Sequence, residues 1–151
     1  MERKLIEPLT VAYVERVLTI PDIKILSMVC GKLIETELRR QDISVTGPWI
    51  FVANNLPHDG KTLFTMRFCL PVSEGINDSG EVKSGILPGG TCISSCYTGN
   101  LRSLFTRGYA PVVRYLKGNR IPVTGESREV YHNWFGAGSE ENNIELQFFI
   151  R

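Results

Sequence analysis

The chain carries one pattern written twice, and that repetition limits its fold more than any other feature. Val45-Thr46-Gly47-Pro48 returns as Val123-Thr124-Gly125-Glu126. Phe64-Thr65-Met66-Arg67-Phe68-Cys69-Leu70 returns, at nearly the same offset, as Ile144-Glu145-Leu146-Gln147-Phe148-Phe149-Ile150. Two copies are too few for a solenoid and fit one domain with an internal pseudo-twofold axis. A length of 151 residues suits one domain and is enough to bury a core without staples. We therefore expect a single domain over residues 1–151, with repeats at about 5–72 and 84–151.

Each repeat reads as a strand, a helix and two strands, which makes the fold class α+β. In the first, Leu9–Val17 is a strand. Thr19-Ile20-Pro21-Asp22 is a helix start, with a hydroxyl cap, an early proline and an acid three residues on. Apolar residues at helical spacing carry that helix to about Gln41. Trp49–Ala53 and Thr62–Leu70 are strands, separated by a loop. A Gly-, Ser-, Asn- and Asp-rich linker runs from Ser73 to about Lys83. The second repeat opens with a strand over Gly90–Tyr97. Asn100 then caps a helix over Leu101–Lys117, which Pro111 is expected to kink near Arg107-Gly108. Ser127–Asn133 and Asn143–Ile150 complete it.

Strand side chains alternate faces. Ile144, Leu146, Phe148 and Ile150 therefore share one side and should meet the helices, with Glu145, Gln147 and Phe149 on the other. Treating aliphatic Ile50, Val52 and Val130 as helix-facing puts Trp49, Phe51, Glu129 and Tyr131 on the side of Glu145, and His132 on the helix side. The helix-free face would then hold Trp49, Phe51, Glu129, Tyr131, Glu145, Gln147 and Phe149, with Arg67 as its one positive group. Aromatic rings and carboxylates together suit an organic cation. Each ring face is worth about 0.5–2 kcal/mol to a cation, depending on desolvation.

Charge and composition exclude other classes. A net charge of +1 with no basic stripe argues against direct nucleic-acid binding. No apolar run spans a bilayer, and the start Met1-Glu2-Arg3-Lys4 lacks a signal-peptide core, so a cytoplasmic protein away from membranes is expected. Cys30, Cys69, Cys92 and Cys96 lack zinc-ligand spacing and read as free thiols. No metal or cofactor is expected; His58 in a loop and His132 on a strand do not make a haem pair.

Several segments come in a familiar order: Tyr97-Thr98-Gly99 before a helix, Tyr115-Leu116 near its end, Val123-Thr124-Gly125, Ser127-Arg128-Glu129-Val130-Tyr131, and Ile144-Glu145-Leu146-Gln147-Phe148. This set resembles the gyrase-inhibitor-like family: the effector-binding domains of AraC- and MerR-class multidrug regulators and their stand-alone relatives. The resemblance implies one curved antiparallel sheet from two β-α-β-β repeats, helices on one face and a central ligand cleft on the other. It implies that Glu129 and Glu145 take the family's acidic positions and Tyr131 its aromatic one, against cationic hydrophobic drugs. Tyr115 stands where many relatives have Trp, and Phe149 where Pro is usual.

The expected function is a stand-alone binding module for amphipathic organic cations. One alternative is a hydrolase of strained electrophilic small molecules, with Glu145, Glu129 and Tyr131 as its chemical groups. Another is a modulator of a separate regulator or topoisomerase. A homodimer closing over the same face is the competing use of those aromatics.

Overall fold

The computed structural model describes residues 1–151 and builds them into one eight-stranded antiparallel sheet with two helices. The strands are β1 (Glu2–Ile6), β2 (Leu9–Leu18), β3 (Ile50–Asn54), β4 (Phe64–Pro71), β5 (Lys83–Leu87), β6 (Gly90–Thr98), β7 (Val123–Asn133) and β8 (Asn143–Ile150). Helix α1 (Ile23–Gln41) follows β2, and α2 (Ala110–Gly118) closes the helical stretch after β6. Across the sheet the order is β1-β6-β8-β7-β3-β4-β2-β5. Exchanging the two halves of the chain maps that order onto itself, so the pseudo-twofold axis passes between β7 and β3. No helix is long and apolar enough to cross a membrane.

Each repeat has one strand more than the alternation of apolar residues reveals. β1 occupies the charged start, and β5 follows directly on the polar linker. Both are edge strands. An edge strand covers little core, so its sequence need not alternate.

The same order explains why the sheet curls. β1 and β2 stand near opposite margins, yet only Glu7 and Pro8 join them; Pro88 and Gly89 alone join β5 to β6. Links that short close only if the margins roll toward each other. The two links cross in contact: a Cβ on Gly89 would lie 2.5 Å from the Ile6 carbonyl oxygen. The product is a half-barrel with a core inside its curl, made by Val11, Ile50, Val52, Cys69, Leu87 and Val130.

The helices cover the outside of the curl. α1 is started by Thr19 and Asp22, whose carboxylate accepts from the Thr19 N–H at 3.1 Å and from its hydroxyl at 2.8 Å. Its Cys30, Ile34 and Leu38 pack on Val14, Phe64, Met66 and Phe68. A buried side chain of this size contributes about 1.5–3 kcal/mol. In the second repeat the expected break at Pro111 is present. A 3₁₀ turn (Leu101–Ser103) leads into a π-helix (Leu104–Tyr109), and Pro111 sits in the first turn of α2. Proline has no amide to give the turn behind it, so the wider π register precedes it. Gly108 lets this segment lie close on the sheet. A Cβ there would meet Leu104 Cδ1 at 3.2 Å, and Leu146 Cδ1 and Tyr97 Cβ at 3.3 Å.

One expectation is overturned. Ile50, Val52 and Val130 face the inside of the curl, not the helices. Phe51 and Trp49 pack in the α1 cluster. Aliphatic character misleads here because both faces of the sheet are buried. Pairing settles the faces: Phe51 opposes Glu129, Glu129 opposes Leu146, and Leu146 packs beneath the π-helix. Glu129 and Tyr131 therefore lie on the helix face. Glu145, opposing Val130, lies inside the curl, and His132 bonds to it there rather than pointing at the helices.

Candidate functional site

Helix α1 packs over β2 and β4, while the π-helix and α2 pack over β6 and β8. Between them a groove follows the two central strands, β3 and β7. Half-buried Phe51, Glu129 and Tyr131 form its floor. The rings are in mutual contact: Phe51 lies 4.8 Å from Tyr131 and 4.9 Å from Phe68, and Tyr131 lies 5.5 Å from exposed Trp134. On the far wall Tyr109 stacks on Phe105 at 5.1 Å and meets Phe148 edge-on at 5.8 Å.

Glu129 is the only carboxylate in this aromatic setting. Its Oε1 accepts a hydrogen bond from the Tyr131 hydroxyl at 2.6 Å, and its Oε2 accepts one from the Tyr109 hydroxyl. It has no ion-pair partner. Burial pushes its carboxyl up, and the two phenol hydrogen bonds only partly oppose that rise. Burial and the neighbouring carboxylate push both phenols well up, so they stay protonated donors. An open hollow of about 600 Å³ adjoins, between the β3–β4 loop and α2, with Leu56, Phe105, Tyr109, Val113 and Phe148 in its lining. Glu129 itself does not line it; Tyr109 stands between the hollow and the carboxylate.

Glu145 sits in a different setting. It is 4% exposed, inside the curl. It takes hydrogen bonds from Lys4 Nζ (3.0 Å), Ser94 Oγ (2.7 Å) and Gln147 Nε2 (2.9 Å), and His132 Nε2 lies 2.8 Å from its other oxygen. Burial alone would raise its carboxyl, but the bonds from Gln147, His132, Ser94 and Lys4 outweigh burial and hold it at about 2. Both oxygens have polar partners and the charge is already paired with Lys4.

The seven residues picked from sequence thus fall into two groups. Glu129, Tyr131, Phe51 and Trp49 are on the helix face. Glu145, Gln147 and Phe149 are inside the curl, with Phe149 lying 4.2 Å beneath the Arg128 guanidinium. Arg67 is there too, beside Glu126 at 3.9 Å. Sequence reasoning missed Tyr109. Its one signal was position: two residues before a proline that breaks a helix, where a π segment turns a side chain off the regular helical stripe.

This architecture matches solved structures across 99% of the chain. The EcmrR C-terminal domain superposes with a TM-score of 0.79 at 18% identity, covering 96% of that domain. SAV2435, solved bound to tetraphenylphosphonium, gives 0.65 at 11% identity over 93% of its chain. A hydrolase from Listeria innocua, encoded by lin2189, gives 0.68 at 11% identity over 91%. Against the EcmrR chain in its DNA complex, the match spans 56% of that longer chain. No curated protein sequence matches at a significant level. The family model described as GyrI-like small molecule binding domain matches residues 2–151. The chain therefore belongs to the GyrI-like small molecule binding domain family.

Proposed function

We propose that the protein binds amphipathic organic cations in the groove over β3 and β7, with Glu129 as the counter-charge. The observation that carries this is an unpaired carboxylate. Glu129 is half-buried among rings and held by two phenols, and no cation of the protein reaches it. An unpaired buried carboxylate costs several kcal/mol, and a ligand cation removes that cost. The ligand's apolar body would lie in the hollow against Phe105 and Phe148, and its charge would reach Glu129 as Tyr109 shifts aside. The relative solved with tetraphenylphosphonium supports the ligand class. Calorimetric titration with tetraphenylphosphonium tests the reading. Saturable binding of one equivalent is expected, and absence of binding at millimolar ligand would contradict it.

A second reading has a specific observation behind it. A carboxyl raised by burial beside two phenols suits a general base with two polarising donors, and one structural relative is named a hydrolase. In that reading Glu129 takes a proton from water once the Tyr109 and Tyr131 hydroxyls have turned from the carboxylate to the electrophile. Glu145, with partners at both oxygens and held at about 2, is a poor base. Turnover of strained electrophiles, abolished in Glu129→Gln, would establish it.

A further inference from the structure

The hollow beside Tyr109 has a basic mouth that an organic cation does not need. One stripe of α2 faces it: Ala110, Val113, Arg114 and Lys117. The stripe runs from apolar near Tyr109 to basic at its end, about 10 Å further along the helix axis. His58 approaches from the β3–β4 loop, and Arg120 lines the adjoining hollow of about 440 Å³ that shares Lys117 and Phe148.

None of Arg114, Lys117 and Arg120 makes an ion pair. Two acids are close by: Asp59 lines the hollow itself and Glu126 the adjoining one. Asp59 accepts from the backbone N–H groups of Lys61 and Thr62, each at 2.7 Å, and from the Thr62 hydroxyl at 2.8 Å. Glu126 is held by Arg128 at 2.6 Å. The cavity therefore runs from an aromatic end, where Tyr109 screens Glu129, to an end where Arg114 and Lys117 outnumber the one acid, Asp59.

We propose that the ligand class is zwitterionic: a flat aromatic amphiphile whose cationic end meets Glu129 and whose carboxylate or sulfonate meets Arg114 and Lys117. The cationic half rests on the reading above; the acidic half stands on the basic mouth alone. Two solvent-facing contacts of this kind should favour the acidic ligand by about fivefold at low salt. Added salt should shrink that margin.

The test uses a rhodamine dye as its free carboxylate and as its ethyl ester, each titrated by fluorescence anisotropy. The wild-type protein should hold the carboxylate more tightly than the ester, and Arg114→Gln with Lys117→Gln should erase the difference. Glu129→Gln should weaken both dyes alike and leave their ratio intact. Equal binding of carboxylate and ester, or a preference that survives the double variant, overturns the proposal. If Glu129→Gln changes neither dye while the double variant still erases the preference, the acidic half stands and the cation reading falls. An anilinonaphthalene sulfonate has rings and an acid but no cation, so it reads the basic mouth separately. Binding lost in the double variant supports the proposal, and binding indifferent to it counts against it.

Discussion

Glu129 and Glu145 stand on neighbouring strands and point to opposite faces of the sheet. Glu129 pairs across β7 and β8 with Leu146, and Glu145 pairs with Val130. The strand pleat therefore separates two carboxylates that a linear pattern places together. Their surroundings diverge as well: two phenols and no cation for Glu129, four polar partners including Lys4 for Glu145. One carboxylate is left without a cation of the protein, and the other holds β1, β6, β7 and β8 together inside the curl.

Stability against acid should depend on Glu145. Its folded carboxyl is held at about 2, below the ordinary value of 4.5. A depressed carboxyl adds stability above its unfolded value and loses it as pH falls toward the folded one. Melting temperature should therefore drop between pH 4.5 and about 2, and Glu145→Gln should flatten that slope. At neutral pH the same variant weakens the charged hydrogen bonds from Ser94 and Gln147 in the buried network and should cost about 1.5–3 kcal/mol in denaturant unfolding.

Cation binding should follow the opposite carboxylate. Burial raises Glu129, so the groove loses its charge at a higher pH than an ordinary glutamate would, and affinity for tetraphenylphosphonium should fall as pH drops through that raised value. Tyr109→Phe removes a hydrogen bond that favours the ionised form. The midpoint of the affinity–pH curve should then move upward. Removing the competing phenol should also raise affinity at pH 8, by about threefold if a net hydrogen bond of roughly 0.5–1 kcal/mol is released. A calorimetric series across pH reads both effects.

Closure of the curl should be sensitive to a single methyl group. Gly89 faces the Ile6 carbonyl where the two strand links cross. Gly89→Ala places carbon against backbone that has no rotamer to yield, and should destabilise by about 1–3 kcal/mol. Gly118→Ala, with open space around its Cβ, serves as the control. Urea unfolding of both variants separates a local clash from a general effect of losing glycine.

The repeats, both helices and the alternation of β8 were legible because each contrasts an apolar face with a polar one. The face of β3 was not. Ile50 and Val52 enter one core while Phe51 and Ala53 enter another, so neither side carries the polar residues that would mark it. Only the pairing of Phe51 with Glu129 decides the question, and pairing is a long-range fact. Tyr109 was hidden for a different reason: regular helical spacing places side chains wrongly across a π turn. β1 and β5 were hidden because edge strands need no buried stripe.

The most direct measurement is a parallel titration of tetraphenylphosphonium into wild type, Glu129→Gln and Glu145→Gln at pH 7, with each variant's fold checked by circular dichroism. Loss of the counter-charge should weaken binding at least about tenfold in Glu129→Gln, equivalent to about 1.4 kcal/mol, and leave it within about twofold in Glu145→Gln. Binding that survives Glu129→Gln and fails in Glu145→Gln would contradict the account and place the ligand inside the curl.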